Sequence, residues 1–437
     1  MLRYDRFVYA ALRNHLASSA MAAALLLAST GAGVAQPPEG PVSLLFTIPV
    51  PVASTNKTGG MYGFDISFVD QSTQTYYLGD RSNASVDVVD ASSGTFVKHI
   101  LAKPAFAGAT GNNSTSGPNG VVAGGNCLFA GDGPSRVVSF MVPSGKQVSD
   151  VKTGGSFRAD EMAFDPKDGL LLVANNAETI PFATFISVTA GCKMTLGTKI
   201  IYTFATNGAE QAVWDPGTGL FYQSIPQIGD AANPGLGPNG LVISLSPKTF
   251  KIVEEFPVYL CQPAGLSLDP TTQNLLAGCS VVFDTAGKAW SGTDTHTATP
   301  YQVVINAKTG LIQAYVPGVG GSDEVWYNSA DNHWYTGSSK SQLAPTEAVS
   351  TTPPTPLTAQ GAAILGVVDA TSLTADQLVP TINVPAVTGV HVSGSSHSVA
   401  ANAANNWVFV PHPANNALPG CLKGCIGVYG RADNDSD

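Results

Sequence analysis

Glu161-Met-Ala-Phe-Asp-Pro-Lys-Asp-Gly-Leu-Leu-Leu-Val-Ala174 reads as two short apolar strands joined by a tight turn of Asp, Pro and Gly. The phrase returns in altered form along the chain. Gln211-Ala-Val-Trp-Asp-Pro-Gly-Thr-Gly-Leu-Phe-Tyr222 is one copy, and Gly265-Leu-Ser-Leu-Asp-Pro-Thr-Thr-Gln-Asn-Leu-Leu-Ala277 is another. Looser copies begin at Asp65, Gly120, Glu324 and Ser398. Each is followed by two further apolar strands split by a turn such as Asp90-Ala-Ser-Ser-Gly94 or Asn306-Ala-Lys-Thr-Gly310. An internal repeat of this kind governs the whole fold and has to be read first.

Seven units of four strands are the pattern of an all-β, seven-bladed β-propeller. The seventh unit supplies only three strands, Ser398 to Ala401, Trp407 to Pro411 and Ile426 to Tyr429. The missing outer strand stands at the other end of the chain, at Ser43-Leu-Leu-Phe-Thr-Ile-Pro-Val50. Pairing of that N-terminal strand with the last blade would close the ring and protect its edges. The expected organisation is a leader over 1–35 and a single propeller domain over 36–437.

The segment Tyr77-Leu-Gly-Asp-Arg-Ser-Asn-Ala-Ser-Val-Asp-Val-Val-Asp-Ala-Ser-Ser-Gly-Thr95 resembles the repeats of YVTN-type propellers, which join a strand, a Gly/Ser/Asn turn and a Val-rich strand ending in Asp. The chain also looks like the lactonase and gluconolactonase-type propellers. That resemblance implies a divalent ion held on the channel rim by carboxylate and Asn ligands. It is a likeness of fold and residue type, and fold does not by itself give function.

The chain carries 21 Lys and Arg against 31 Asp and Glu, a net charge of −10, which argues against a nucleic-acid-binding surface. Arg3, Arg6 and Arg13 precede the apolar run Ala20 to Ala28, which ends in the small residues Gly33-Val34-Ala35. This is the layout of a secretory signal, too short to span a bilayer. No later run approaches the length of a membrane span, so a periplasmic or extracellular protein is expected. Six cysteines suit an oxidising compartment. Of the fifteen connectivities open to them, the pairing Cys127–Cys192, Cys261–Cys279 and Cys421–Cys425 is the one expected.

In a propeller the innermost strand of each blade lines the channel, and one face receives the start of every such strand. Here those starts are polar: Asp65, Asn119, Asp160-Glu161, Glu210-Gln211, Asp323-Glu324 and His397-Ser398. Alternation sends neighbours to opposite sides of a strand. One register gathers Asp65, Glu161, Gln211 and Glu324; the other gathers Asn119, Asp160, Glu210, Asp323 and His397. Either brings three or more carboxylates to one mouth, where they require a cation, shared protons or basic partners. A metal set drawn from Asn119, Glu161, Glu210, Asp323 and Glu324 suits Ca²⁺ or Mg²⁺, with Zn²⁺ admitted by His397. The other reading of the same residues is a hydrated polar channel.

The functional expectation is metal-assisted hydrolysis of a lactone or small ester, with His397 or Glu161 as the general base. A non-enzymatic propeller that binds a small ligand or a protein partner through its loop-bearing face is the rival, and a quinone- or copper-linked redox propeller is a third class. The long insertions Pro226 to Gly240 and Val281 to Pro300 are expected to wall the mouth. Ser338 to Ala362 reads as a functional loop or a linker. Phe164, Trp214 and Trp326 are expected in the core between blades.

Overall fold

The computed structural model describes residues 40–229, 238–289, 300–341 and 363–432, with side chains given except at 339–341. The leader, with Trp290, His296 and most of the 338–362 insertion, lies outside the described residues. Seven four-stranded antiparallel sheets form the ring, as the repeat predicts. Their innermost strands are Ser67–Asp70, Val121–Gly124, Met162–Asp165, Ala212–Asp215, Cys261–Asp269, Val319–Asn328 and Ala400–Asn402. Each packs against its neighbours in turn, and the last packs against the first. The N-terminal strand Val42–Pro49 pairs antiparallel with Cys425–Arg431 and completes the seventh blade.

The second strand of each blade shows how alternation builds this ring. Each carries two adjacent apolar residues that point into different interfaces. Tyr76 packs toward the seventh blade and Tyr77 toward the second. Leu171 and Leu172 divide between the second and fourth blades, Phe221 and Tyr222 between the third and fifth. Leu275 and Leu276, Trp334 and Tyr335, and Val408 and Phe409 do the same. The described residues thus form seven apolar clusters, one per interface between blades. Burying each such side chain contributes roughly 1.5–3 kcal/mol, so the ring is held by side-to-side packing and has no single central core.

Close approach between blades requires glycine at a few places. A Cβ on Gly120 would lie 1.9 Å from the Asp160 carbonyl oxygen, and one on Gly79 would lie 2.3 Å from that of Asn119. These contacts bring the mouth residues of successive blades together. Three disulfides join the expected pairs: Cys127–Cys192 links the second and third blades, Cys261–Cys279 crosses two strands of the fifth, and Cys421–Cys425 closes a loop of the seventh. They are compatible with a secreted or periplasmic protein. No helix among the described residues is long and apolar enough to cross a membrane.

Candidate functional site

The polar strand starts fall on two levels. Asp65, Asn119, Asp160 and Glu210 each donate their backbone N–H to the same place on the second strand of their own blade: Gly79, Gly131, Ala174 and Ser224. These residues, with Asp323 and His397, make the upper level, at the mouth. Glu161, Gln211 and Glu324 lie one residue deeper. Asp65 therefore belongs with the Asn119 set, and not with Glu161 and Gln211 as one sequence register had it. Backbone pairing decides this, because Asp65 and Asp160 hold equivalent positions in their blades.

A cavity of about 1050 Å³ opens at the mouth, with Asp65, Arg81, Arg158, Asp323 and His397 among its lining. Among the described residues its walls come from two segments, while 230–237 and 290–299 of the expected insertions lie outside those residues. One is 101–119, folded back on itself by paired backbone bonds between Gly108 and Gly117 and anchored where Asp132 accepts from the Ala107 N–H. The other is 382–397, a small ribbon in which Asn383 pairs with Ser395 and Val384 with Gly394. Ser396 at its base is hydrogen-bonded to His412 (2.8 Å), which accepts in turn from the Tyr429 hydroxyl (3.0 Å). The described parts of Pro226 to Gly240 and Val281 to Pro300 do not line this cavity.

Two arginines that the motif reading passed over organise the charges. Arg81 follows the second strand of the first blade, Thr75–Asp80. It is buried and forms an ion pair with Asp65 through Nη2, while its Nε donates to Asn119 Oδ1 at 2.8 Å. Arg158 precedes the third blade's inner strand. Its Nε lies 2.7 Å from Asp160 Oδ2 and 3.1 Å from Asn176 Oδ1, and Asn176 donates to both Glu210 oxygens at 3.3 Å. Second strands end on the face where inner strands begin, so the arginine in Gly79-Asp80-Arg81-Ser82 and the one two residues before Asp160 were both detectable from position.

Their fields divide the carboxyls. Burial opposes ionisation of Asp65, but Arg81 and His397 outweigh it and hold that carboxyl well below its usual range. Burial pushes Asp160 up to about 7 against the pull of Arg158, with Asp65 adding to the rise. Burial, Asp160 and Asp323 push Glu210 up to about 8. For His397, burial works against the charged form, but Asp65 and Asp323 raise its pKa overall. The geometry agrees: Nδ1–H donates to the Ser395 carbonyl at 2.7 Å, and Nε2 faces Asp65 Oδ1 at 3.5 Å. The ring stacks on Phe64, with centroids 5.3 Å apart.

Asp323 differs from the other carboxyls. A register shift between Ser322 and Glu324 makes it the extra residue of a β-bulge, and bulges re-aim side chains. It is exposed, lines the cavity, and has no hydrogen-bonded or ion-paired partner among the described residues. Glu161 and Glu324, by contrast, are buried and hydrogen-bonded to each other. Burial keeps both carboxyls well above the usual range, helped at Glu161 by the charges of Glu324 and Asp160 and at Glu324 by those of Asp323 and Asp65, against the pull of its hydrogen bond to Glu161. Glu161 faces a second cavity on the far side of the channel.

The set Asn119, Glu161, Glu210, Asp323 and Glu324 does not fit a divalent ion. Asn119 Oδ1 is taken by Arg81, Glu161 and Glu324 are bonded to each other a level below, and two guanidiniums occupy the mouth. Among the described residues, no three His, Cys, Asp or Glu side chains gather in a way that could hold a metal. Basic partners and shared protons meet the electrostatic requirement that a cation was expected to meet.

No protein-family model and no curated protein matches this chain. Among solved structures, a chain of the Kuenenia stuttgartiensis hydrazine synthase superposes with a TM-score of 0.60 at 11% identity, over 88% of this chain and 99% of that one. This likeness shows the propeller fold alone.

Proposed function

We propose that the mouth is the active site of a hydrolase acting on a lactone or small ester, by acid–base chemistry among protein side chains. One observation carries the reading: Asp323, an unpartnered carboxylate, shares a cavity with an imidazole held toward its charged form and with two guanidiniums. Asp323 takes a proton from water as the water adds to the carbonyl carbon. Arg81 and Arg158 stabilise the charge that develops on the carbonyl oxygen. His397 then protonates the departing alkoxide, so its role is general acid where the sequence suggested a base. Asp160 and Glu210, behind Arg158, adjust how much of its positive charge reaches the cavity.

The test is turnover of a panel of γ- and δ-lactones and short-chain aryl esters. Asp323→Asn and His397→Gln are each expected to lower kcat by about 10²–10⁴-fold. His397→Gln should lose the alkaline limb of the pH–rate profile. No turnover of any member, or full rates in both variants, would refute the proposal. A second reading, a binding site for an uncharged polar molecule, is favoured by the pairing of both arginines with carboxylates. It predicts that panel members raise the melting temperature without being hydrolysed.

A further inference from the structure

The channel has a second chamber, chemically unlike the first. On the face opposite the mouth, about 500 Å³ is enclosed by the lower halves of the inner strands, within the range of about 300–1,000 Å³ common for small-molecule pockets. Its walls are aromatic. Phe68, Phe164, Trp214, Trp326 and Tyr327 are each half-buried, with one part of the ring in an interface between blades and the rest turned to the cavity. Phe164, Trp214 and Trp326 pack against the clusters between blades, as the sequence suggested, and also present ring surface to this cavity.

The rings are held rigidly. Trp326 meets Phe68 edge-on at 5.2 Å, Phe164 lies 5.0 Å from Phe129, and Trp214 lies 4.7 Å from Phe221. Gly124 makes room for one of them, since a Cβ there would lie 2.6 Å from the Phe164 ring. A preformed wall gives up little conformational freedom when a ligand arrives.

The inner end of the chamber is polar and, among the described residues, carries no cation. Gln211 spans the blades there: Oε1 accepts from the Leu266 and Val325 N–H groups at 2.6 and 3.1 Å, and Nε2 donates to the Val325 carbonyl at 3.2 Å. Beside it stands Glu161, hydrogen-bonded to Glu324. Aromatic walls favour a flat apolar body. A floor of carboxyl and amide groups offers a hydrogen bond and gives a buried anion no counter-ion.

We propose that this chamber is a second small-molecule site, independent of the mouth, which takes a flat, uncharged aromatic molecule bearing one hydroxyl or carbonyl group. The test is calorimetric titration of the full chain with 2-naphthol at pH 7. Binding at one site per chain is expected. Trp214→Ala and Trp326→Ala should each weaken it about tenfold. Val213 borders both this cavity and the cluster between the fourth and fifth blades, so Val213→Trp should abolish binding at some cost in stability, and a cooperative unfolding transition shows that the variant is folded. Tyr62→Ala, at the mouth, should leave the affinity unchanged. Naphthalene-2-sulfonate, of similar shape but charged, should bind at least about tenfold more weakly. Absence of 2-naphthol binding, or binding that survives Val213→Trp and is lost in Tyr62→Ala, would overturn the proposal.

Discussion

Replacing Asp160 with Asn isolates the electrostatics of the mouth. Asp160 is 2% exposed, and burial moves its carboxyl from an ordinary 3.8 to about 7. Between those two values the folded chain holds a proton that the unfolded chain has released. The stabilisation is therefore complete below about pH 4, declines as pH rises, and is gone above about pH 8. The interval is about three pH units, and at about 1.4 kcal/mol per unit it amounts to about 4 kcal/mol. Asn copies the shape of the neutral carboxyl and does not ionise. At pH 5, roughly one unit above the lower value, the parent has already lost about 1.5 kcal/mol, so the variant should be the more stable by about that amount. At pH 9 the parent has lost about 4 kcal/mol at this site and the variant has not, so Asp160→Asn should be the more stable protein. Urea unfolding followed by tryptophan fluorescence, in steps from pH 5 to pH 9, measures the difference. Titrations elsewhere, such as that of Asp87, whose carboxyl burial raises to about 7, largely cancel between the two proteins. Stability profiles that run parallel across the range would refute the account of the mouth given above.

Three further outcomes follow from the same structure. Removing the Cys127–Cys192 link, with its 65-residue separation, by a double change to Ala should lower stability by about 4 kcal/mol in chain-entropy terms; an unchanged urea midpoint would show that the blades do not depend on it. Gly120→Ala places a methyl 1.9 Å from the Asp160 carbonyl oxygen and should cost at least about 1–3 kcal/mol, read from the shift in urea midpoint. Dialysis against a chelator should leave the melting temperature unchanged, because Arg81 already neutralises Asp65 and burial holds the Asp160 carboxyl up to about 7 beside Arg158; a stoichiometric divalent ion whose removal lowers it would contradict that charge balance.

Much of the fold was legible because its signals are local. The dyads Leu171-Leu172 and Phe221-Tyr222, each beyond an Asp-Pro turn, carry the alternation that faces a blade toward two neighbours. The missing fourth strand of the last unit announced its N-terminal partner. The mouth was legible in part. Asp65, Asn119, Glu210, Asp323 and His397 were all named from their place at strand starts, but their depth was not. Asp160 and Glu161, adjacent in sequence, part company: Asp160 pairs with Arg158 at the mouth and Glu161 lines the far cavity, and only the pairing of each blade decides which is which.

The charge balance was hidden for a different reason. Arg81 joins Asp65 of its own blade to Asn119 of the next, and Arg158 reaches Glu210 only through Asn176. No spacing rule encodes such contacts, because they exist only after the ring closes. The bulge that turns Asp323 into the cavity is a detail of pairing as well. The sequence by itself determined the number of blades, the closure of the ring and the chemical character of the channel, since side-chain alternation and turn chemistry act over a few residues. Tertiary structure decided which carboxyls keep their protons, which meet an arginine and which stand free. Desolvation and Coulomb forces depend on the groups that share one poorly solvated space, and the ring draws those groups from every part of the chain.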